Sequence, residues 1–384
     1  MDDINRLPWR VGVQQRVLPT YRAPFFATLA RVCGGGLGLF AGQPRPQEAI
    51  ESARQVEGVT LFSARNVHLF SGPLYLCWQR GLRAWLEDWQ PQVLIVEANP
   101  RYLSTPMAIR WMRHRGGVVI GWGLGAPQGQ ALPLLVNMRR AWRRRFLAQF
   151  DALIAYSRRG AAEYAALGFD PTRIVVAPNA ATPRPAGSPP TRPLEYRDGR
   201  PTVLFVGRLQ ARKRVDVLIR ACADLPPRLQ PRLLIVGEGP ARPALEALAR
   251  EVYPRTEFLG ARQGETLRPI FEQADLFVLP GTGGLAVQQA MAHALPVIVA
   301  AGDGTQEDLV RPTNGWRVPS DDLPALTAVL AEALADPQRL RKMGAESFRV
   351  VNEEINLETM VTAFARAIHL AWAYRHGARG TPCT

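Results

Sequence analysis

A basic cluster follows a short apolar run in the stretch Val203–Arg214, which reads VLFVGRLQARKR. The run Val203–Val206 has the length and composition of a buried parallel strand. It ends at Gly207, and Arg208 and Lys213 follow before a segment with helical apolar spacing begins. A strand, a glycine and basic side chains before a helix suit a site that binds an anion at the carboxyl end of a strand. A strand followed by a solvated basic loop is the alternative.

Two glycine-rich turns occupy similar positions further along the chain. Val236–Pro240 reads VGEGP, contains Glu238 and leads into a helix that starts with proline. Pro280–Leu285 reads PGTGGL and also leads into a helix, whose free N–H groups and dipole suit a diphosphate. Each turn alone is weak evidence. In this order, after successive strands, the turns indicate one site for a phosphate-bearing ligand.

The composition is that of a globular protein with more than one domain. At 384 residues, the chain is long enough for two α/β domains, each with its own core. No uninterrupted apolar run approaches about 20 residues, so no transmembrane helix is predicted, and the start of the chain lacks the apolar segment of a secretory signal. The four cysteines have no metal-ligand spacing and are typical of a reducing cytoplasm: Cys33, Cys77, Cys222 and Cys383.

The excess of positive charge lies almost entirely in the first half of the chain. Residues 1–198 contain 25 Arg and 13 Asp or Glu, whereas residues 199–384 contain 22 Lys or Arg and 20 Asp or Glu. This asymmetry predicts that the first half faces an anionic partner, such as nucleic acid, phospholipid headgroups or a phosphorylated acceptor. A genome that favours arginine codons explains the choice of Arg over Lys, but not the difference between the halves.

Residues 131–150 are predicted to form an amphipathic helix in which this charge is concentrated. Its expected membrane contacts are Arg139, Arg140, Trp142, Arg143, Arg144 and Arg145. Such a helix can lie in a membrane interface, where each basic residue near an anionic leaflet contributes about 1 kcal/mol. The alternative is a surface helix whose arginines are solvated.

Short apolar runs alternate with helical patterns throughout, which predicts parallel sheets covered by helices. The expected domains are residues 1–180, completed by 353–384, and residues 201–352, joined by a proline-rich linker at 181–200. Residues 34–40 could form a phosphate loop, but a turn followed by the next strand is favoured, because no helix with suitable caps follows. Further predicted strands lie at 11–18, 59–62, 67–70, 93–96, 118–120, 151–155, 174–176, 203–206, 232–236, 256–259, 276–279 and 296–300. Predicted helices lie at 24–32, 74–88, 106–115, 131–150, 160–167, 215–223, 240–251, 266–273, 285–293, 323–335, 337–350 and 357–375.

Residues 199–350 resemble the nucleotide-sugar-binding domain of the family 4 (group 1) glycosyltransferases of GT-B fold. The matching segments are VGRLQARKRVDVLIRA, LLIVGEGPARPALEALA, ADLFVLPG and GGLAVQQAMAHALPVI. The first half resembles the family more loosely, through QRVLPTYRAPFF and DALIAYSRRGAAEYAALGF. The resemblance implies two facing Rossmann-like domains with parallel sheets, an acceptor bound by the first domain, and a C-terminal helix that crosses back to the N-terminal domain.

The resemblance also implies roles for particular residues. Arg208 and Lys213 are the expected catalytic cations, which neutralise the diphosphate as the glycosidic bond breaks. The expected donor-binding residues are Gly207, Glu238, Arg262, Gly281, Gly284, Leu285 and Gln289. The expected acceptor-side residues are Tyr21, Arg22, Asn99 and Trp122; strand-end capping is an alternative role for Asn99. Arg212 and Arg214 are predicted to be solvated.

Two positions depart from the family pattern of two glutamates eight residues apart. Alignment on Leu285 and Ala290 puts Gly281 and Gln289 at these positions. An amide can still hydrogen-bond ribose hydroxyls, but glycine offers the donor sugar no side chain. In addition, Leu124 replaces a histidine that the family often carries on the acceptor side. A homologue that binds a nucleotide sugar with little transfer is therefore an alternative function.

The expected function is sugar transfer with retention from a nucleoside diphosphate sugar to a lipid-linked or saccharide acceptor, in cell-surface polysaccharide or glycolipid synthesis. No metal or cofactor besides the donor is expected. The protein is expected in the cytoplasm, peripherally bound to the anionic inner face of the cell membrane. Nucleic-acid binding through the basic first half is a further alternative, but no aromatic stacking platform favours it.

Overall fold

The computed structural model describes residues 6–48, 50–125, 133–262, 264–283, 285–302 and 304–377. The chain divides into two compact units. The first comprises Met1–Ala181 together with Leu357–Thr384, and the second comprises Thr182–Asn356. The segment 181–200, expected to be a linker, falls in the second unit from Thr182 onward.

The first unit contains an eight-stranded sheet. Its strands are β1 (Val11–Val17), β2 (Leu37–Gly42), β3 (Val59–Leu69), β4 (Leu76–Arg80), β5 (Val93–Glu97), β6 (Val118–Gly123), β7 (Ala152–Ala155) and β8 (Ile174–Val176). Their order across the sheet is β4-β3-β2-β1-β5-β6-β7-β8. Every pair is parallel except β3 with β4. Parallel strands covered on both faces must be apolar throughout, and residues 93–96, 118–122 and 152–155 are all buried.

Five helices connect these strands. They are α1 (Ala23–Val32), α2 (Leu82–Trp89), α3 (Thr105–His114), α4 (Pro133–Leu147) and α5 (Arg158–Ala166). In α1, Phe25, Phe26, Leu29 and Val32 are buried, as their spacing along one helical face predicts. The helix begins directly after β1 and so brings the β1–α1 turn to the carboxyl edge of the sheet.

The second unit contains a six-stranded, fully parallel sheet. Its strands are β9 (Thr202–Val206), β10 (Arg232–Val236), β11 (Thr256–Phe258), β12 (Leu276–Leu279), β13 (Val297–Ala300) and β14 (Gly315–Val318), in the order β11-β10-β9-β12-β13-β14. Its helices are α6 (Val215–Ala223), α7 (Arg242–Val252), α8 (Arg268–Gln273), α9 (Leu285–Ala292), α10 (Thr305–Leu309), α11 (Leu323–Leu334) and α12 (Pro337–Arg349). The chain leaves β9 toward β10 and returns to β12 on its other side. The carboxyl ends of β9 and β12 therefore form a topological switch point, where such sheets bind ligands.

The last described helix, α13 (Leu357–His376), belongs to the first unit. It packs on α1 and on β6, β7 and β8. Phe364 is fully buried there, with its ring centroid 4.9 Å from those of both Phe25 and Trp122. The fold class is thus confirmed: two α/β units with parallel sheets, and a final helix that returns to the first unit.

The predicted helix at 74–88 is wrong in its first half, which forms strand β4. Cys77 and Gln79 are buried while Trp78 and Arg80 are exposed, so the burial pattern has the period of two that an edge strand requires. The two short strands predicted at 59–62 and 67–70 are one strand, β3. Strand β14 and helix α10 were not predicted.

Candidate functional site

The turn after β9 and the turn after β10 are in close contact. Gly207 donates its N–H to the Val236 carbonyl at 3.0 Å. A Cβ on Gly237 would lie 1.9 Å from the Gly207 oxygen, and one on Gly239 would lie 2.2 Å from the Leu209 oxygen. Only glycine permits this approach of two backbones. The glycine-rich turn after β10 therefore holds the turn after β9 in place.

The turn that carries Lys213 is joined to the turn after β12. Arg212 and Lys213 end a 3₁₀ turn, and Thr282 donates its N–H to the Arg212 carbonyl at 3.1 Å. The Lys213 ammonium donates to the Thr282 carbonyl at 2.7 Å. Lys213 is only 8% exposed. These bonds hold the ammonium group against Thr282, which precedes Leu285, the first residue of α9, by three positions.

Gly281 lies against the backbone of this 3₁₀ turn. A Cβ at this position would be 2.3 Å from the Arg212 oxygen and 2.5 Å from the Lys213 carbonyl carbon. Both atoms belong to the backbone and cannot swing away as a flexible side chain can. Where the family carries a glutamate, this chain therefore has no room for a side chain beside its buried lysine.

Arg212 also reaches this turn, although the sequence predicts that it is solvated. Its side chain is exposed, but its guanidinium donates to the Thr282 hydroxyl at 3.4 Å and to the Gln210 side-chain oxygen at 3.0 Å. Arg214 is half-buried and pairs with Asp216 and Asp321, so the prediction that it is solvated is wrong. The contact of Arg212 with Thr282 joins residues 70 positions apart, so no local sequence pattern predicts it.

The pKa of Lys213 is lower than that of an ordinary lysine. Burial is the larger cause and the Arg212 charge the second, and together they lower it from 10.5 to about 8. An anion bound beside the ammonium would reverse both effects, because it supplies opposite charge. The arrangement suits a diphosphate at the start of α9, where backbone N–H groups and the helix dipole also favour negative charge.

The remaining donor-side candidates lie around the same edge of the sheet. Arg208 is exposed just after Gly207, and Gln289 is exposed one turn into α9. Glu238 is exposed and accepts a hydrogen bond from Arg242. Arg262 is exposed in the loop after β11. Gly284 lies outside the described residues.

Three of the four acceptor-side candidates of the first unit are in contact. The Arg22 guanidinium lies 5.7 Å from the Tyr21 ring centroid and 5.1 Å from that of Trp122. It also donates to the Tyr156 hydroxyl at 3.3 Å, a partner that the sequence analysis did not identify. Asn99 is used differently, since its side-chain oxygen accepts from the Arg101 N–H at 3.1 Å and caps the turn after β5.

Helix α4 presents most of its arginines to solvent. Arg139, Arg140, Arg144 and Arg145 are exposed, and Arg143 is half-buried. Met138 and Trp142, one turn apart, are 66% and 52% exposed, so two large apolar side chains lie among these cations. The helix is anchored at its end by Phe146 and Leu147, which are buried.

The affinity of the site for a nucleoside diphosphate is expected to depend on the Lys213 proton. Above pH 8, binding must be accompanied by proton uptake, so the dissociation constant of UDP or GDP should rise about tenfold per pH unit. Titration calorimetry at pH 7.0, 8.0, 9.0 and 9.5 measures this slope, and Lys213→Met should flatten it. A wild-type affinity that is constant across this range contradicts the assignment.

The free energy of unfolding of the ligand-free protein should increase over the pH range in which the affinity for the nucleotide decreases. The folded state holds the Lys213 pKa at about 8, so between pH 8 and about 10.5 the unfolded state binds more protons. This contribution makes the free energy of unfolding increase with pH in that window. Denaturant titrations give the free energies of unfolding of the wild type and of Lys213→Met, and the difference between them isolates this contribution. A difference that does not change with pH contradicts a lowered pKa of Lys213.

Two family models match the chain. Residues 200–336 match the model described as glycosyl transferases group 1, and residues 10–180 match a glycosyl transferase 4-like domain. A GDP-mannose-dependent monoacylated alpha-(1-6)-phosphatidylinositol monomannoside mannosyltransferase of Corynebacterium glutamicum is 30% identical over 64% of this chain and 66% of its own length. A D-inositol 3-phosphate glycosyltransferase of Nocardia farcinica is 33% identical over 54% of this chain and 50% of its own. The chain spans between a third and two thirds of the curated relatives that it matches.

Solved structures share the fold over nearly the whole chain. The sucrose-phosphate synthase of Thermosynechococcus elongatus superposes with a TM-score of 0.67, covering 94% of this chain and 98% of its own, at 20% identity. At this identity the likeness establishes the fold alone. Both units are matched by glycosyltransferase models and by the architecture of a solved structure, and the chain belongs to the group 1, family 4 glycosyltransferases of GT-B fold.

Proposed function

We propose that the protein transfers a sugar, with retention of configuration, from a nucleoside diphosphate sugar to a lipid-linked or saccharide acceptor, in cell-surface polysaccharide or glycolipid synthesis. The observation that carries this proposal is the junction between Lys213 and the Gly281–Gly283 turn. It holds a buried ammonium group beside the start of α9.

The chemistry follows from where charge develops. When the bond between the sugar and the diphosphate breaks, negative charge accumulates on the leaving phosphate oxygen. A cation held in position beforehand stabilises that charge without reorganisation. In this proposal Lys213 supplies such a cation, Arg208 at the turn after β9 supplies a second, and the first N–H groups of α9 receive the distal phosphate. This set of donors can assist departure of a diphosphate without a metal ion.

The names of the relatives support a lipid-linked or phosphorylated acceptor. One acts on a phosphatidylinositol mannoside with GDP-mannose as donor, and another is named for D-inositol 3-phosphate. Glycolipid synthesis on the cytoplasmic membrane face is the setting that we propose for this chain as well.

The test is incubation with a panel of labelled UDP, GDP and ADP sugars, with and without membrane lipid extract. We expect release of the nucleoside diphosphate with one donor class and transfer of the label to lipid or saccharide. Loss of that release in Lys213→Met ties it to the proposed site. Absence of both hydrolysis and transfer for every donor contradicts the proposal.

A second candidate function is binding of a nucleotide sugar with little transfer. It is favoured by Gly281, which places backbone instead of a carboxylate beside the donor sugar. Under this alternative, a nucleotide sugar still raises the thermal midpoint by mass action, but no diphosphate is released. The two measurements together therefore separate the two functions.

We also propose that α4 contacts an anionic membrane surface. The exposed Met138 and Trp142 can enter the headgroup region while the surrounding arginines attract anionic lipid. Among the described residues, no helix is both long and apolar enough to cross a bilayer.

Replacement of the five arginines of α4 by glutamine is expected to release the protein from vesicles that contain anionic lipid. At about 1 kcal/mol per residue, the loss of five charges amounts to several orders of magnitude in partition. Co-sedimentation at low salt measures it. The matched control replaces five exposed arginines of the second unit and should leave binding unchanged: Arg197, Arg200, Arg220, Arg228 and Arg250. Equal sedimentation of the α4 variant and the wild type argues against this surface.

A further inference from the structure

The first unit contains a buried guanidinium, that of Arg22, which has no ion-pair partner among the described residues. Arg22 is 6% exposed, and among the described residues none places a carboxylate within ion-pair distance of it. One guanidinium nitrogen bonds the Tyr156 hydroxyl, while the other terminal nitrogen, Nη1, is buried without a hydrogen-bond acceptor. A buried charge without a counter-ion is costly. An arrangement of this kind is stable when a ligand supplies the missing charge.

The aromatic rings around Arg22 stabilise its charge, but none of the described carboxylates lies within ion-pair distance of it. Its guanidinium lies 5.1 Å from the Trp122 ring centroid and 5.3 Å from that of Tyr156, distances at which aromatic faces attract cations. The carboxylate whose field reaches Arg22 is that of Glu97, but it accepts the Arg16 N–H at 2.7 Å and a bond from Tyr102. Glu97 is thus already engaged in holding the end of β5 to the end of β1.

The unsatisfied groups near Arg22 are donors. Besides Nη1 of Arg22, the indole N–H of Trp122 is buried and lacks an acceptor. Arg22 also stands immediately before α1, a helix of ten residues whose first turn has neither an acidic residue nor a side-chain cap. The N-terminal end of such a helix attracts negative charge. The 3₁₀ turn before α1 already accepts the Ala23 N–H through Thr20, and Pro24 has no N–H, so the helix contributes its dipole alone. The buried Nη1 of Arg22 therefore calls for a ligand group that is negatively charged and rich in acceptors.

We propose that Arg22 binds an oxyanion of the acceptor, and that the acceptor is therefore a phosphorylated molecule. This inference rests on the proposed function and on the expectation that the first unit binds the acceptor, and it narrows the acceptor to molecules that carry a phosphate. Phosphate matches the donor set because its tetrahedral oxygens accept two parallel N–H bonds from arginine. The phosphate is either a monoester on a soluble sugar or the diester of a lipid headgroup.

Tyr21 is the most exposed of the three aromatic side chains around Arg22. It contacts the guanidinium and is 46% exposed, whereas Trp122 is 2% exposed and Tyr156 is largely buried. An exposed tyrosine changes rotamer on a picosecond to nanosecond timescale. Rotation of Tyr21 is thus the least costly way for a phosphate to reach the guanidinium.

The experiment measures binding and does not depend on transfer. UDP is present at saturating concentration throughout, so that the phosphate site of the second unit is filled. The phosphate probes are glucose 6-phosphate, which is a monoester, and dioctanoyl phosphatidylglycerol below its micelle concentration, which is a lipid diester. Glucose and dioctanoylglycerol are the neutral counterparts. Thermal midpoints and calorimetric titrations are recorded for the wild type, Arg22→Gln and Arg22→Lys.

We expect one phosphate probe to bind the wild type about tenfold or more tightly than its neutral counterpart. Arg22→Gln should abolish this preference, and Arg22→Lys should keep part of it because it retains the charge. The matched control, Arg31→Gln, removes an exposed arginine of the same helix that pairs with Glu57, and it should bind as the wild type does.

The outcome also identifies the source of the phosphate. Preference for glucose 6-phosphate indicates a soluble sugar phosphate, and preference for phosphatidylglycerol indicates a lipid headgroup. If neither phosphate probe binds better than its neutral counterpart, or if Arg22→Gln keeps the preference, the inference is overturned. Should Arg22→Gln fail to fold, Arg22→Lys carries the test: a reduced phosphate preference in this variant supports the site, and a preference equal to that of the wild type overturns the inference. A chain that binds phosphate here but releases no diphosphate from any donor refutes the proposed function alone.

Discussion

Replacement of Lys213 by methionine is expected to lower kcat/KM for the nucleotide sugar by about 10²–10³, the usual effect of removing one preorganised donor from a developing anion. Methionine retains the length of the side chain and fills the buried space, so the loss reflects the missing charge. The ammonium group donates to the Thr282 carbonyl at 2.7 Å and is almost closed to solvent. Steady-state kinetics with the donor identified in the panel measure this effect.

The composition supplies a matched control for this variant. The chain contains 45 arginines and only two lysines, Lys213 and Lys342. Lys342 is exposed on α12, so Lys342→Met should leave kcat/KM unchanged. Lys213→Arg is expected to retain little activity, because a larger planar guanidinium cannot take the place of a compact ammonium group that is 8% exposed and bonded to the Thr282 carbonyl. Full activity of Lys213→Met, or of Lys213→Arg, would refute the assigned role.

Replacement of Gly281 by glutamate is expected to impair the protein, even though it introduces the residue that the family carries at this position. The new Cβ would overlap the Arg212 oxygen and the Lys213 carbonyl carbon, both less than 3 Å away. Relief of the overlap must move the turn that holds the ammonium group. We expect a loss of about 1–3 kcal/mol in the free energy of unfolding and a clear loss of affinity for the nucleoside diphosphate.

Gly281→Ala separates the steric effect from the effect of charge, because it introduces the same Cβ without the carboxylate. It should lose most of what Gly281→Glu loses. Gly377→Ala is the control, since a Cβ at that glycine has no neighbour within 4 Å. Urea denaturation and calorimetry with the same nucleotide measure both quantities. A gain of transfer activity in Gly281→Glu would mean that the turn can adopt the family geometry, contrary to the packing described above.

The sequence predicted the sheets well because buried parallel strands are apolar throughout. The runs 93–96, 203–206, 232–236 and 276–279 each lie within a strand, and the glycines after β9, β10 and β12 mark the edge where the candidate site lies. Strand β4 was mistaken for helix because it lies at the edge of its sheet and alternates in polarity within a longer apolar segment. Such a short alternation is ambiguous when the pairing partner is unknown.

The details of the site could not be predicted, because they depend on contacts between distant residues. The glycine at 281 is a departure from the family pattern in the sequence, but in the structure it is a requirement imposed by a backbone 68 positions earlier. Arg22 was chosen for its resemblance to the family. Its burial, and a terminal nitrogen without an acceptor among the described residues, depend on neighbouring side chains and have no local signature in the sequence.

The position of α13 in the first unit also bears on how the chain is made. During synthesis residues 1–181 leave the ribosome before the second unit does, but the core formed by Phe25 and Trp122 lacks Phe364 until the whole second unit has also been translated. The second unit is contiguous from Thr182 to Asn356 and contains all its own strands. It can therefore be completed before the unit that precedes it, in contrast to the usual N-terminal-first order. A nascent chain interrupted before Leu357 would contain a finished second unit and an uncovered apolar face on β6, β7 and β8, a surface of the kind that chaperones bind.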